Sequence, residues 1–220
     1  MASAPSMTTY LANKVLAFIL GGGSLTPPTT LFLGLATSCT AVGVITGEPT
    51  IGSNGYARVQ FSNTILTITA TNGTTTITVT GGTTTFPVGT IVAFSNSGGA
   101  LPVPLTANTP YFVVGGSAST ITVATTPGGT AITFASAGSG TNTLVPAFGT
   151  AASASIANAI ALTFPADVTG NWGTMSIFVI VDAASAGNVW LYNSITGATT
   201  INVGQTPYFP ASQLSIGPMA

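Results

Sequence analysis

The side chains able to do acid–base, nucleophilic or ligand chemistry are few: Lys14, Glu48, Arg58, Asp167, Asp182 and Cys39. Histidine is absent, so no Ser-His or Cys-His pair can be assembled. The 3 acids stand at positions 48, 167 and 182, too dispersed to suggest paired-carboxylate catalysis. Tetrahedral zinc needs clustered Cys, His or carboxylates, and this chain offers no such cluster. Cys39, the 1 cysteine, cannot form a disulfide within the chain and reads as a small packing residue rather than a nucleophile. Calcium at Asp182 would need further oxygen ligands, and no acid lies near it in sequence, so Asp182 reads as turn chemistry. No enzyme, metal or cofactor is expected.

The same scarcity bears on partners. Charged residues make up 2% of the 220 positions, against roughly 25% in ordinary soluble domains. Two scattered cations cannot neutralise a run of phosphates, so nucleic acid is not an expected partner. The surface must be built from Thr, Ser, Asn, Gly and Ala, and a net charge of -1 protects it only weakly against self-association. Such a surface suits life inside an assembly. Contacts of this kind lose little when salt screens charge.

The element expected to organise the chain is Trp172 to Asp182, rich in β-branched and aromatic residues and free of proline. Met175, Ile177, Val179 and Val181 share one face, with Phe178 and Ile180 on the other. A strand apolar on both sides must be covered on both sides, which makes it central. It is too short to span a bilayer, which takes about 20 apolar residues in a helix, and no membrane partner is expected.

Upstream, Thr8 or Thr9 can cap a short helix whose Leu11, Val15, Phe18 and Ile19 form one apolar face. Gly21 to Gly23 stop it. A secretory signal reading of this stretch is weaker, because the apolar run from Val15 to Leu20 is short and no Ala-x-Ala site directly follows. Thr29 to Thr37 reads as a strand buried on both sides, and Gly55 to Phe61 as another, with Tyr56 and Arg58 on one face. Glu48 is the acid nearest to Arg58. As a surface pair the two would contribute only about 0–1 kcal/mol.

From Thr64 to Pro146 no charged residue occurs. Ile65 to Ala70 and Thr75 to Thr80 flank Asn72-Gly73, a hairpin signal. Thr90 to Ser95, Pro110 to Val114, Thr120 to Thr125, Ala131 to Ala135 and Thr141 to Val145 continue the series, which implies a small all-β barrel or sandwich. After Phe148 the first texture returns, and Val189 to Tyr192 should run back antiparallel to the central strand.

Two resemblances become visible along this route. Residues 9–63 joined to 148–217 resemble a widespread family of small tailed-phage virion proteins labelled tail fibre or decoration proteins. The shared residues are Leu11-Ala12-Asn13-Lys14-Val15-Leu16, Pro28 to Leu35, Gly55-Tyr56-Ala57-Arg58, Leu162 to Ala166, Trp172-Gly173, Val181-Asp182-Ala183 and Gly204. The charge-free middle is similar to a module that recurs in phage structural proteins, through Val88 to Phe94, Leu101-Pro102, Leu105, Thr109, Tyr111 to Val114 and Gly128 to Phe134. The expected fold is therefore all-β: an antiparallel β-sandwich with a short N-terminal helix and an inserted small β-barrel or sandwich. Residues 1–63 plus 148–220 would form the discontinuous anchoring domain, and 64–147 the inserted one.

These resemblances imply a virion component at the capsid surface: a decoration or cement protein binding across major capsid protein subunits and stabilising the head, as a homo-oligomer and in particular a trimer. Tyr10, Phe18, Tyr208, Phe209 and Leu214 are its interface candidates, on aromatic and apolar character. The alternative is a tail or head fibre component that binds a host-surface glycan, for which Trp190, Tyr192, Asn188 and Asn193 offer the usual aromatic and amide groups. Trp190 and Tyr192 also read simply as packing residues.

Overall fold

Strand Gly173–Val181 has hydrogen-bonded neighbours on both edges, Leu31–Ala36 on one and Val189–Ile201 on the other, each antiparallel. Val179 stands opposite Gly34 on one side and Tyr192 on the other. Met175 and Ile177 to Val181 are all buried, so neither face meets solvent and the central placement expected of this strand holds. These statements come from a computed structural model that describes residues 6–28, 30–81, 85–117 and 119–217. Thr29, at the start of the expected Thr29 to Thr37 strand, lies outside the described residues.

The residues divide into two compact units, Met1–Val59 with Thr150–Ala157 and Thr163–Ala220, and Gln60–Gly149 with Asn158–Leu162. Hydrogen bonds explain why residues just outside 64–147 fall in the second unit. Ser62 N donates to Ile91 O, Ala147 N to Ser62 O, and Ala159 N to Ala147 O.

In the first unit, Ser6–Met7 extends the sheet beyond Val189–Ile201. One sheet face buries Ala36, Ile177, Val179, Val181 and Val189, with Cys39 and Ile45 packed on it from the hairpin Ser38–Cys39 and Ile45–Thr46. An aromatic group made of Tyr56, Phe164, Trp172 and Phe209 supplies a second core. Helix Thr9–Leu20 is capped by Thr8, whose hydroxyl accepts from Leu11 N and donates to Val189 O. Gly21 and Gly23 both close it by donating to Ala17 O. The helix buries none of its residues.

The expected strand Gly55 to Phe61 is extended only over Val59–Phe61. Gly55 takes φ +78°, and a Cβ there would collide with Ala166 O, so the chain turns at this point. Tyr56 N then donates to Ser53 O instead of joining a ladder.

The second unit is a closed ring of six strands. Ile91–Ser97, Thr141–Val145, Leu66–Ala70, Thr76–Thr80, Thr120–Ala124 and Tyr111–Ser117 follow one another, and the last pairs back with the first through Ile91 opposite Phe112. In Leu66–Ala70 and Thr76–Thr80 every second side chain is buried and the alternating threonines face out. Ile68, Ile77, Phe94, Ile121, Val123, Phe134 and Leu144 fill the interior. The Asn72-Gly73 turn closes as expected, with Gly73 at φ +79° and Thr74 N donating to Thr71 O. The segment Ala131 to Ala135 is not a strand, although it alternates like one. Its amides go to scattered acceptors: Ile132 to Val123 O, Phe134 to Thr74 O and Ala135 to Val103 O. Phe134 still reaches the core at 1% exposure.

Candidate functional site

Glu48 and Arg58 form a fork-to-fork pair, with Nε to Oε1 at 2.7 Å and Nη2 to Oε2 at 2.8 Å. The expectation of a surface pair is corrected here: the Arg58 and Glu48 side chains are 4% and 14% exposed. Gly34 leaves room for the pair, since a Cβ there would stand 3.1 Å from Glu48 Oε1 and 2.9 Å from Val179 Cγ2. The third guanidinium nitrogen, Nη1, donates to the carbonyls of Ala183 and Ala186, so this cation also pins the turn after the central strand. Tyr56 donates its hydroxyl to Glu48 Oε1 and accepts from Leu35 N. Burial works against the Arg58 charge, but the hydrogen bonds and charge of Glu48 outweigh it and hold the guanidinium pKa above its usual value. Burial and the adjacent carboxylate push the Tyr56 phenol far up.

Asp182 acts within its turn. Oδ1 accepts from Asn188 N, and Oδ2 from the Asn188 amide and the Trp190 indole. Burial raises its pKa, yet these hydrogen bonds prevail and hold it below the ordinary carboxylate value. Among the described residues no group of three or more His, Cys, Asp or Glu could hold a metal ion. Burial pushes the Cys39 thiol up, away from the thiolate a nucleophile needs. Asp167 is fully buried, and its Oδ2 accepts from Trp172 N while Oδ1 has no partner among the described residues.

The four residues drafted for a glycan are not free to form one site. The Trp190 ring stands edge-on to Tyr10 at 5.3 Å, and its N–H is taken by Asp182. Asn193 donates to Ser215 O, Asn188 is committed to Asp182, and Tyr192 packs against the sheet core. Of the interface candidates, Phe18 and Tyr208 are 54% and 62% exposed. Tyr10 and Phe209 are half-buried, against Trp190 and Phe164 respectively. Leu214 is corrected outright: at 1% exposure it closes the core and presents no surface.

Three surfaces emerge that residue types alone do not disclose. Leu16, Ile19 and Leu20 join Phe18 in an exposed apolar end of the helix, where no residue after Lys14 carries a charge. A cleft of about 460 Å³ opens between the 47–54 loop and residues 171–175. Its lining combines Glu48, Thr50, Ser53, Asn54, Asn171 and Thr174 with the edges of Trp172 and Met175. No single stretch of sequence holds both walls. A smaller groove of about 250 Å³ lies under Tyr208 and Phe209, lined by Leu35, Met175, Ile195 and Ile201.

An all-β chain whose Glu48, Arg58, Asp167 and Asp182 are spent on internal bonds, and whose open surface is otherwise mostly apolar or neutral, has the makings of a structural component. The chain belongs to the family described as podophage GP4 fiber I protein gp80, matching it over residues 6–98 and 108–217. It is thus a phage virion structural protein of a fibre family. The match runs through both compact units, so the charge-free middle belongs to what this family shares and does not merely interrupt it. No protein with a curated description matches the chain.

Proposed function

We propose that the chain is a building block of a phage fibre, joined to further copies of itself through uncharged apolar surface and serving contact with the host. The observation that carries this reading, beyond family membership, is helix Thr9–Leu20. Its Tyr10 packs half-buried against Trp190, yet its C-terminal end leaves Leu16, Phe18, Ile19 and Leu20 between 54% and 80% exposed. Four large apolar side chains exposed within so short a stretch favour an interaction site there. The homotrimer expected from the sequence remains the assembly unit of choice.

Immunogold labelling of purified virions, with copy number from quantitative mass spectrometry, tests the placement. Label at fibre positions and few copies per particle support the fibre. Attachment across major capsid protein subunits, the decoration reading, predicts hundreds of copies spread over the head. The neutral surface serves that role equally well, but the fibre family favours the first placement.

A further inference from the structure

We propose that the cleft between the 47–54 loop and residues 171–175 is a binding site for a neutral saccharide, an inference that rests on the fibre reading for its biological meaning. Its volume of about 460 Å³ falls within the roughly 300–1,000 Å³ of small-molecule sites. The exposed lining groups Thr50, Ser53, Asn54, Asn171 and Thr174 are hydroxyls and amides. Asn54 Oδ1, Asn171 Oδ1 and Thr174 Oγ1 already bond Thr169, Val203 N and Thr200, so the Thr50 and Ser53 hydroxyls and the two amide NH2 groups are what remain to donate or accept. That is the pattern a ring of sugar hydroxyls requires. Trp172 and Met175, 7% and 2% exposed, close the floor of the cleft with apolar groups.

Electrostatics narrow the ligand further. Arg58 is the cation nearest this region, and every one of its bonded nitrogens is turned to Glu48 or to the carbonyls of Ala183 and Ala186. Lys14 does not line the cleft. A phosphate, sulfate or carboxylate ligand would thus be desolvated with no cation to receive it. Glu48 already holds Arg58, so a cationic ligand would find the carboxylate's charge matched. A neutral polyol loses nothing on either count, and Glu48 Oε2, with one bond made, keeps room to accept from a hydroxyl.

The walls are also held in place before any ligand arrives. The Trp172 indole donates to Asn54 O at 2.9 Å, tying one wall to the other, and its backbone N donates to the buried Asp167. Tyr56 stands edge-on to Trp172 at 5.0 Å. A site fixed in this way loses little freedom on binding.

The test is saturation-transfer NMR on the purified full chain. The probes are glucose, galactose, mannose and N-acetylglucosamine oligosaccharides, alongside glucuronic and sialic acid. Transfer to at least one neutral sugar and none to the acids is expected. The double variant T50A/S53A should weaken that binding about tenfold, the loss of roughly 1.4 kcal/mol of hydrogen bonding. S53W, which fills the cleft, should abolish it, with the melting temperature of each variant as the folding control. Transfer to no neutral sugar, equal transfer to the acids, or binding unchanged in T50A/S53A would overturn the assignment. Gold label away from fibres would instead strike the fibre reading and leave the NMR result standing.

Discussion

Replacing Arg58 by alanine would leave the Glu48 carboxylate with only the Tyr56 hydroxyl and two carbonyl groups without their donor, in surroundings almost closed to water. Breaking one side of such a pair costs about 3–5 kcal/mol, whereas exchanging both partners for uncharged residues of similar size is far milder. Denaturant unfolding should therefore rank R58A well below the double variant E48Q/R58M; equal losses would contradict the buried network. The titration behaviour follows from the same neighbourhood. Tyr56 has a folded pKa above its unfolded value, so its contribution is intact below about pH 10 and fades as pH rises beyond. Asp182 is shifted the other way, so its contribution is present above about pH 4 and is lost as pH falls through the lower folded value. With no histidine, melting temperature should stay level from about pH 5 to 8; above that the raised Cys39 thiol and then Tyr56 lose their contribution and it drops, as it does on the acid side. A step near neutrality in a pH series of thermal melts would show the assignment to be wrong. The sequence makes a Glu48–Arg58 contact readable through proximity and opposite charge. It cannot show burial, because Gly34 and the Ala183–Ala186 turn, which enclose the pair, come from distant stretches.

At the level of elements, the helix and the ring behave in opposite ways. Leu16 and Leu20 are 54% and 80% exposed, so L16D/L20D should leave the melting temperature almost unchanged while lowering the oligomeric mass seen by light scattering. The ring interior admits no such freedom. Ile68 is 1% exposed, and I68A should cost about 2–5 kcal/mol, whereas outward-facing Thr69 to alanine should stay within about 0.5 kcal/mol. Alternation made Leu66–Ala70 and Thr76–Thr80 legible, since a period of two with buried Leu, Ile and Val can serve few other backbones. The same alternation misleads at Ala131 to Ala135. There the side chains obey the period while the amides are taken one by one by Val123, Thr74 and Val103. A pattern of side chains records which face is buried, and it is silent about which backbone supplies the acceptor.

Over the whole molecule, neutrality was the property most openly written in the sequence, and it carries the broadest expectation. At about 1 M NaCl the screening length is near 3 Å, so an assembly held by ionic contacts would loosen there. Assemblies of this chain should keep the same mass from low salt to that level, and should instead yield to mild detergent or low concentrations of urea. Dissociation by salt alone would point to a charged partner. The proposed saccharide cleft, in contrast, could not be read from the linear order. Its walls lie more than a hundred positions apart, and its lining residues are ordinary Thr, Ser and Asn that mean nothing until the fold sets them opposite one another.

The closed circuit of strands from Leu66 to Val145 has a mechanical corollary. An open sheet can be peeled from its outermost member, rupturing a single line of bonds at a time. A hoop has no outermost member, so extracting any one stave severs the seams on both its flanks together. A tether that meets hydrodynamic drag would gain from such a hoop, which resists tugging up to a threshold and then gives way in one event.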